Sequence, residues 1–215
     1  MRGVVLAAVV VGAGLAGAAG YWHFGRATPP ATPAPTPTRA PVPAAVAPEA
    51  PTRRLVDTLP KFELVDREGR VRSSHDWPGK ALVVNFWATW CAPCRREIPL
   101  LQRIARERAG QGFEVVGIAV DFREKVLAYA DEMNIEYPLL IGEQDALDAA
   151  EAFGVEAIGF PFTVFTDREG RVITAQMGEL TEPMAEVILD EVAAVNAGRR
   201  SPSEARQNIL AAQAR

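Results

Sequence analysis

The sequence predicts an α/β domain with a mixed central sheet covered by helices on both faces, and three observations predict it. Ala81–Trp87 (ALVVNFW) and Phe113–Val120 (FEVVGIAV) are apolar runs of strand length, as central strands buried on both faces require. Segments of helical period separate the β segments, which is how a sheet acquires helical cover. The stretches Asp66-Arg67-Glu68-Gly69 and Asp167-Arg168-Glu169-Gly170 interrupt short β segments as hairpin turns.

Composition sets the outer limits. At 215 residues the chain holds one ordinary domain plus about 70 further residues. With 48% hydrophobic and 23% charged residues it is globular in composition. A net charge of −4 supplies no electrostatic footprint for nucleic acid. Two cysteines exclude a disulfide-rich scaffold, and two histidines leave too few ligands for a multi-histidine metal centre.

From the N-terminus, residues 1–26 are expected to be a membrane anchor or a signal segment. Gly3–Trp22 is 20 uncharged residues long, enough to span a bilayer core of about 30 Å. Tyr21, Trp22 and Phe24 place aromatic rings at its far end, as interfacial anchors do. Ala16-Gly17-Ala18 is a small-x-small site, so cleavage is the rival to retention. On either reading the remainder is exported: a periplasmic domain tethered to the inner membrane, or a soluble one after cleavage. Residues 27–51 hold nine of the 17 prolines and read as a polyproline-II spacer, which at about 3.1 Å per residue reaches roughly 75 Å.

Residues 52–198 carry the fold. An opening β-hairpin flanks Asp66–Gly69, and Ala81–Trp87 is the first central strand. A helix from about Cys91 to Arg108 puts Ile98, Leu101, Ile104 and Ala105 on one side. Phe113–Val120 follows, then a helix over 123–133, a strand over 137–141 and a helix over 145–153. A second hairpin joins Phe162–Thr166 to Val172–Gln176, and a closing helix over 182–196 is stopped by Gly198. Residues 199–215 are expected as a basic tail with four Arg, one Glu and a short helix after Ser201-Pro202.

Both cysteines fall in one C-x-x-C, Cys91-Ala92-Pro93-Cys94, where a buried strand meets a helix. A disulfide closing so short a loop barely restricts the unfolded chain, so structural stapling is a poor reason for it. A helix N-terminus stabilises an anion, which favours the Cys91 thiolate. Cys94, one turn on, is on the same side and can resolve a mixed disulfide formed at Cys91. Pro93 fits the first turn, where its missing N–H costs nothing.

The stretch Asn85-Phe86-Trp87-Ala88-Thr89-Trp90-Cys91-Ala92-Pro93-Cys94-Arg95-Arg96-Glu97-Ile98-Pro99 resembles the active-site segment of exported bacterial thioredoxin-like proteins of the TlpA/ResA type. The resemblance covers about residues 55–197 and implies a thioredoxin-like fold with an N-terminal β-hairpin and an extra αβ unit at about 123–141. It implies that Pro99 kinks the active-site helix. It also implies that Pro161, an X-Pro that would ordinarily be trans, is a cis-proline facing the dithiol. Phe160 would then offer its backbone to a substrate strand. The resemblance makes Glu97 a proton carrier at the dithiol, against the plainer reading that it complements the helix dipole. Asn85 stands where cytoplasmic thioredoxins carry a titratable Asp. Trp90, Ala92, Pro93, Phe160 and Pro161 are the candidate substrate-binding residues, with Trp87 either beside Trp90 in an apolar collar or in the core. Phe160 and Phe162 depart from the smaller residues common at those positions. No acidic residue follows Pro161, unlike the specialised cytochrome-c-maturation members.

The function expected is therefore a membrane-tethered thiol–disulfide oxidoreductase, with no cofactor, reducing disulfides of exported proteins. Cys91 would be the nucleophile, Cys94 the resolving thiol, and a membrane electron donor would re-reduce the pair. By analogy the partners are apocytochrome c, copper-site cysteines of an oxidase, or oxidised envelope proteins. A dithiol oxidase or isomerase would use the same residues. A copper-binding module would need ligands near the pair, where His75 is the domain's only histidine. A thiol peroxidase would need a Pro-x3-Thr-x2-Cys pattern that the sequence lacks.

Overall fold

A computed structural model describes residues 55–155 and 159–214; the expected anchor and proline-rich spacer lie outside the described residues. Among the described residues seven strands are formed: β1 (Glu63–Asp66), β2 (Val71–Ser73), β3 (Ala81–Trp87), β4 (Phe113–Val120), β5 (Leu139–Gly142), β6 (Phe162–Thr166) and β7 (Val172–Met177). The helices are α1 (Ala92–Glu107), α2 (Arg123–Glu132), α3 (Gln144–Ala152), α4 (Glu182–Asn196) and α5 (Pro202–Gln213). The sheet order is β2-β1-β5-β4-β3-β6-β7, with β3, β4 and β5 parallel and all other pairs antiparallel. This is the α/β thioredoxin-like arrangement expected, including the opening hairpin and the extra αβ unit. The strand expected from Tyr137 begins instead at Leu139, because Pro138 has no N–H for the ladder.

Alternation along β3 separates two cores. Ala81, Val83 and Trp87 face α1, α2, α4 and α5, while Leu82, Val84 and Phe86 face α3 and the opening segment. Every residue of β3 is buried, which places the strand at the centre of both layers.

The two hairpin turns use one hexapeptide, Asp-Arg-Glu-Gly-Arg-Val, at 66–71 and 167–172. Asp66 accepts backbone N–H groups of Glu68 (3.0 Å) and Arg70 (2.9 Å) and the Arg70 Nε (2.8 Å). Asp167 accepts those of Glu169 (3.0 Å) and Arg171 (2.9 Å) and the Arg171 Nε (2.6 Å). Gly69 and Gly170 take φ of 84° and 76°, where a side chain would be strained. The second residue of each turn reaches a neighbouring loop: Arg67 donates to the Ile135 carbonyl and Arg168 to that of Gln111.

Residues 199–214 add more to the fold than a tail would. Ser201 and Glu204 form a capping box that starts α5, and Ala205 and Ile209 are buried in the core shared with α4. Arg206 donates to the Val172 carbonyl (2.7 Å) and Gln213 to Gln176 (2.9 Å), so α5 covers β7, an edge strand otherwise open to pairing. Ile209→Ala is therefore expected to destabilise the domain by about 2–5 kcal/mol, the range for a buried isoleucine. Urea denaturation of wild type and variant measures this; a loss below about 0.5 kcal/mol would mean that α5 does not pack in solution.

Candidate active site

Buried β3 delivers the chain to the sheet's C-terminal end, and the turn at 88–91 starts α1. Cys91 is the N-cap, in extended conformation, and its sulfur accepts the Cys94 backbone N–H at 3.2 Å. The two cysteines are joined in a disulfide with Cα atoms 5.3 Å apart. Cys94 is fully enclosed and Cys91 is 5% exposed. Pro93 occupies the first turn, where no donor is lost, and Pro99 lies inside α1 and removes the bond to the Arg95 carbonyl. The turn is anchored from outside α1: the Thr89 hydroxyl donates to Asp121, which also accepts the Phe122 N–H.

Glu97 points inward, 1% exposed, one turn beyond Cys94. Its Oε1 accepts the Asn85 Nδ2 (2.7 Å) and its Oε2 the backbone N–H of Leu180 (2.6 Å). Asn85 Nδ2 also donates to Thr163 Oγ1 at 3.0 Å. Burial pushes the carboxyl up to about 7, against the two hydrogen bonds that favour its charge, and the nearby Glu179 carboxylate pushes the same way as burial. Dipole complementation does not account for this residue, since no acidic side chain lies in the first turn of α1.

Apolar rings stand beside the dithiol. Trp90 is 67% exposed, and its ring meets the half-buried Phe160 ring edge-on at 6.0 Å. That contact brings the Phe160–Pro161 segment to the dithiol's side, and the peptide bond between these residues is cis. Two further large apolar side chains, Phe122 and Met177, are 51% and 47% exposed. Trp87, by contrast, is wholly buried and belongs to the core, while Ala92 is exposed beside Cys91. Among the described residues no group of three or more His, Cys, Asp or Glu is placed to hold a metal ion.

Sequence reasoning placed Glu97 near the dithiol but missed its partners. Leu180 is 83 residues away and contributes only a backbone N–H, so no side-chain signal could have flagged it. Asn85 did carry a signal. A lone amide in a buried apolar run must find a partner, and the candidate nearest in space was the carboxyl already singled out.

Residues 55–176 match the model of the AhpC/TSA family. Thiol-disulfide oxidoreductase ResA of Geobacillus thermodenitrificans is 33% identical over 126 residues, covering 58% of this chain and 70% of that protein. Among solved structures, a thiol:disulfide interchange protein of the thioredoxin family from Chlorobium tepidum superposes with a TM-score of 0.55 at 31% identity, over 66% of this chain and 97% of that one. A secreted thiol-disulfide isomerase from Corynebacterium glutamicum gives a TM-score of 0.56 at 26% identity, over 67% and 91% of the two chains.

The raised Glu97 carboxyl has a consequence for stability. Its folded pKa of about 7 lies above the unfolded value of 4.5, so the folded state holds its proton more tightly between those limits. Stability conferred at low pH is lost as pH rises from about 4.5 through about 7, by roughly 3 kcal/mol in all. Measured by urea denaturation of the oxidised protein at pH 4.5 and pH 8, wild type should lose stability relative to Glu97→Gln by this order. An unchanged difference would show that Glu97 titrates normally.

Proposed function

Because this chain belongs to the AhpC/TSA family and is a thiol–disulfide oxidoreductase of the TlpA/ResA type, we propose that it is an exported, membrane-tethered reductase of protein disulfides. Proteins carrying disulfides are its substrates in general; the direction of exchange, the tether and the residue roles are the further content of this reading. One observation carries it: Cys91 holds its sulfur at the N-terminus of α1 beside exposed Trp90, while Cys94 is sealed behind it.

In the reductive half-reaction the Cys91 thiolate attacks one sulfur of a substrate disulfide. A mixed disulfide forms, and the displaced substrate thiolate takes a proton. Cys94 then gives its proton to the Glu97 carboxylate and attacks the Cys91 sulfur. The second substrate thiol is released with a proton, and the Cys91–Cys94 disulfide remains. Two electrons pass to the substrate, with one proton from Cys94 by way of Glu97 and one from solvent, and a membrane donor returns the electrons. A carboxyl with a pKa of about 7 suits this step, because it exchanges protons with little bias at neutral pH. Trp90 and Phe160 flank the approach with apolar surface; Ala92 and Pro93 put only small side chains beside Cys91; the Phe160–Pro161 backbone receives the substrate as an added strand.

Export rests on residues 1–26 and on likeness to a protein described as secreted. Among the described residues no helix is long and apolar enough to cross a membrane, so the tether rests on Gly3–Trp22, with residues 27–51 as the spacer. The isomerase relative supports a second reading, in which the same dithiol works as an isomerase or oxidase.

Cys91→Ser is expected to abolish disulfide reduction in an insulin-turbidity assay, whereas Cys94→Ser should accumulate mixed disulfides visible on non-reducing gels; activity in Cys91→Ser would reassign the nucleophile. The reduction potential decides direction. Equilibrated with dithiothreitol, the soluble chain from residue 52, kept to its C-terminus to retain α5, should give a value near that of thioredoxin, about −270 mV. A value near −120 mV, that of a strong periplasmic oxidant, would reverse the direction.

A further inference from the structure

We propose that Asn85, Trp87 and Tyr137 hold one internal water behind the dithiol, and that Tyr137 through this water positions the Asn85 amide that serves Glu97. This rests on the reading of Glu97 as proton carrier. The starting observation is three enclosed side-chain atoms without a hydrogen-bond partner among the described residues: Asn85 Oδ1, Trp87 Nε1 and Tyr137 Oη. Chemically they are an acceptor, a donor and a group that is both. Water commonly makes about three hydrogen bonds at such a buried site.

The backbone brings the three together. Asn85 and Trp87 alternate along β3, so both point to the α1 side of the sheet. Asn85 lies opposite Gly117 of β4, which has no side chain there. A Cβ at Gly117 would stand 2.9 Å from Tyr137 Cε2 and 3.3 Å from Trp87 Nε1. The phenol ring and the indole N–H therefore meet over Gly117, next to the Asn85 amide. Glycine at this position is what lets them approach.

Asn85 Nδ2 already serves Glu97 and Thr163. With Oδ1 accepting from a water, the amide is held at both ends and cannot turn its oxygen toward the Glu97 carboxylate. Tyr137 responds to the same carboxylate, since burial and then the Glu97 charge push its phenol up. Among the described residues, the other groups about Glu97 are Cys94 of its own helix, Glu179 paired with Arg96, Glu182 paired with Arg103 and Thr163 of β6, while Tyr129 of α2 stands by Tyr137. Tyr137→Phe leaves all of these in place and removes one hydroxyl.

The test uses the full-length oxidised chain in detergent, labelled for NMR. Water cross-relaxation is read at the Trp87 indole N–H, and the Glu97 midpoint is read from its carboxyl carbon during a pH titration. Wild type should show a long-lived water at Trp87. Tyr137→Phe should lose it and move the Glu97 midpoint upward by about half a pH unit, as expected when a donor to the carboxylate is weakened. Absence of a water signal at the wild-type indole overturns the proposal and does not depend on any variant folding. A retained water with an unmoved midpoint in Tyr137→Phe overturns the positioning role. If the water is present and the midpoint moves, yet Glu97→Gln leaves the pH profile of Cys91 alkylation in the reduced protein unchanged, the water site stands and the proton-carrier reading fails.

Discussion

A carboxyl group enclosed between a helix and a sheet costs several kcal/mol unless its oxygens are satisfied, and Glu97 meets that condition only through the joint placement of four elements. α1 supplies the carboxyl, β3 the Asn85 amide, β6 the Thr163 hydroxyl that shares the amide, and the segment before α4 the Leu180 N–H. A slip of β3 by one residue would turn Asn85 to the opposite core and leave the carboxyl without its amide. The same constraint fixes the start of α1, and with it Cys91 and Cys94, against the sheet. Burial that raises the carboxyl toward neutrality thus also sets the geometry of the dithiol.

The periphery is secured by repetition. The same hexapeptide closes both hairpins, and in each the leading aspartate collects two backbone N–H groups and the side chain of the arginine four residues on. The second residue then ties the turn to a different loop. β1–β2 and β6–β7 flank the parallel centre, so the two turns brace the sheet on either side of the strands that carry the site. On the β7 side α5 completes the cover, and Arg206 caps a carbonyl of the edge strand itself.

Much of this was legible in the sequence because it rests on local chemistry. Continuous apolar runs gave β3 and β4 their bounds, and C-x-x-C at a strand–helix junction identified the redox pair. The Asp-Arg-Glu-Gly stretches marked both turns. What was not legible depends on partners distant in the chain. Nothing local shows that Ile209 docks on the core of α4, that the Leu180 N–H meets Glu97, or that Thr89 is held by Asp121. Trp87 and Trp90 show the same limit: they stand three residues apart with similar neighbours, yet one is sealed in the core and the other is 67% exposed, because strand alternation ends between them.

The exposure of Trp90 is itself a product of packing. Its ring is the outer member of a row: Trp90 meets Phe160 at 6.0 Å, Phe160 stacks on Phe162 at 6.4 Å, and Phe162 on Phe86 at 4.4 Å. Phe86 contacts Phe153 at 5.8 Å, and Phe153 contacts Phe62 at 6.0 Å. Aromatic pairs of this kind contribute about 0.5–1.5 kcal/mol each beyond the area they bury, so Phe160 is held by its neighbours in the row before any partner arrives. On the proposed function, a rim already ordered would lose little side-chain freedom when a substrate covers it, and more of the apolar contact would be left to favour binding. The bulk of Phe160 and Phe162 is then the means by which an exposed tryptophan next to Cys91 is given a fixed partner.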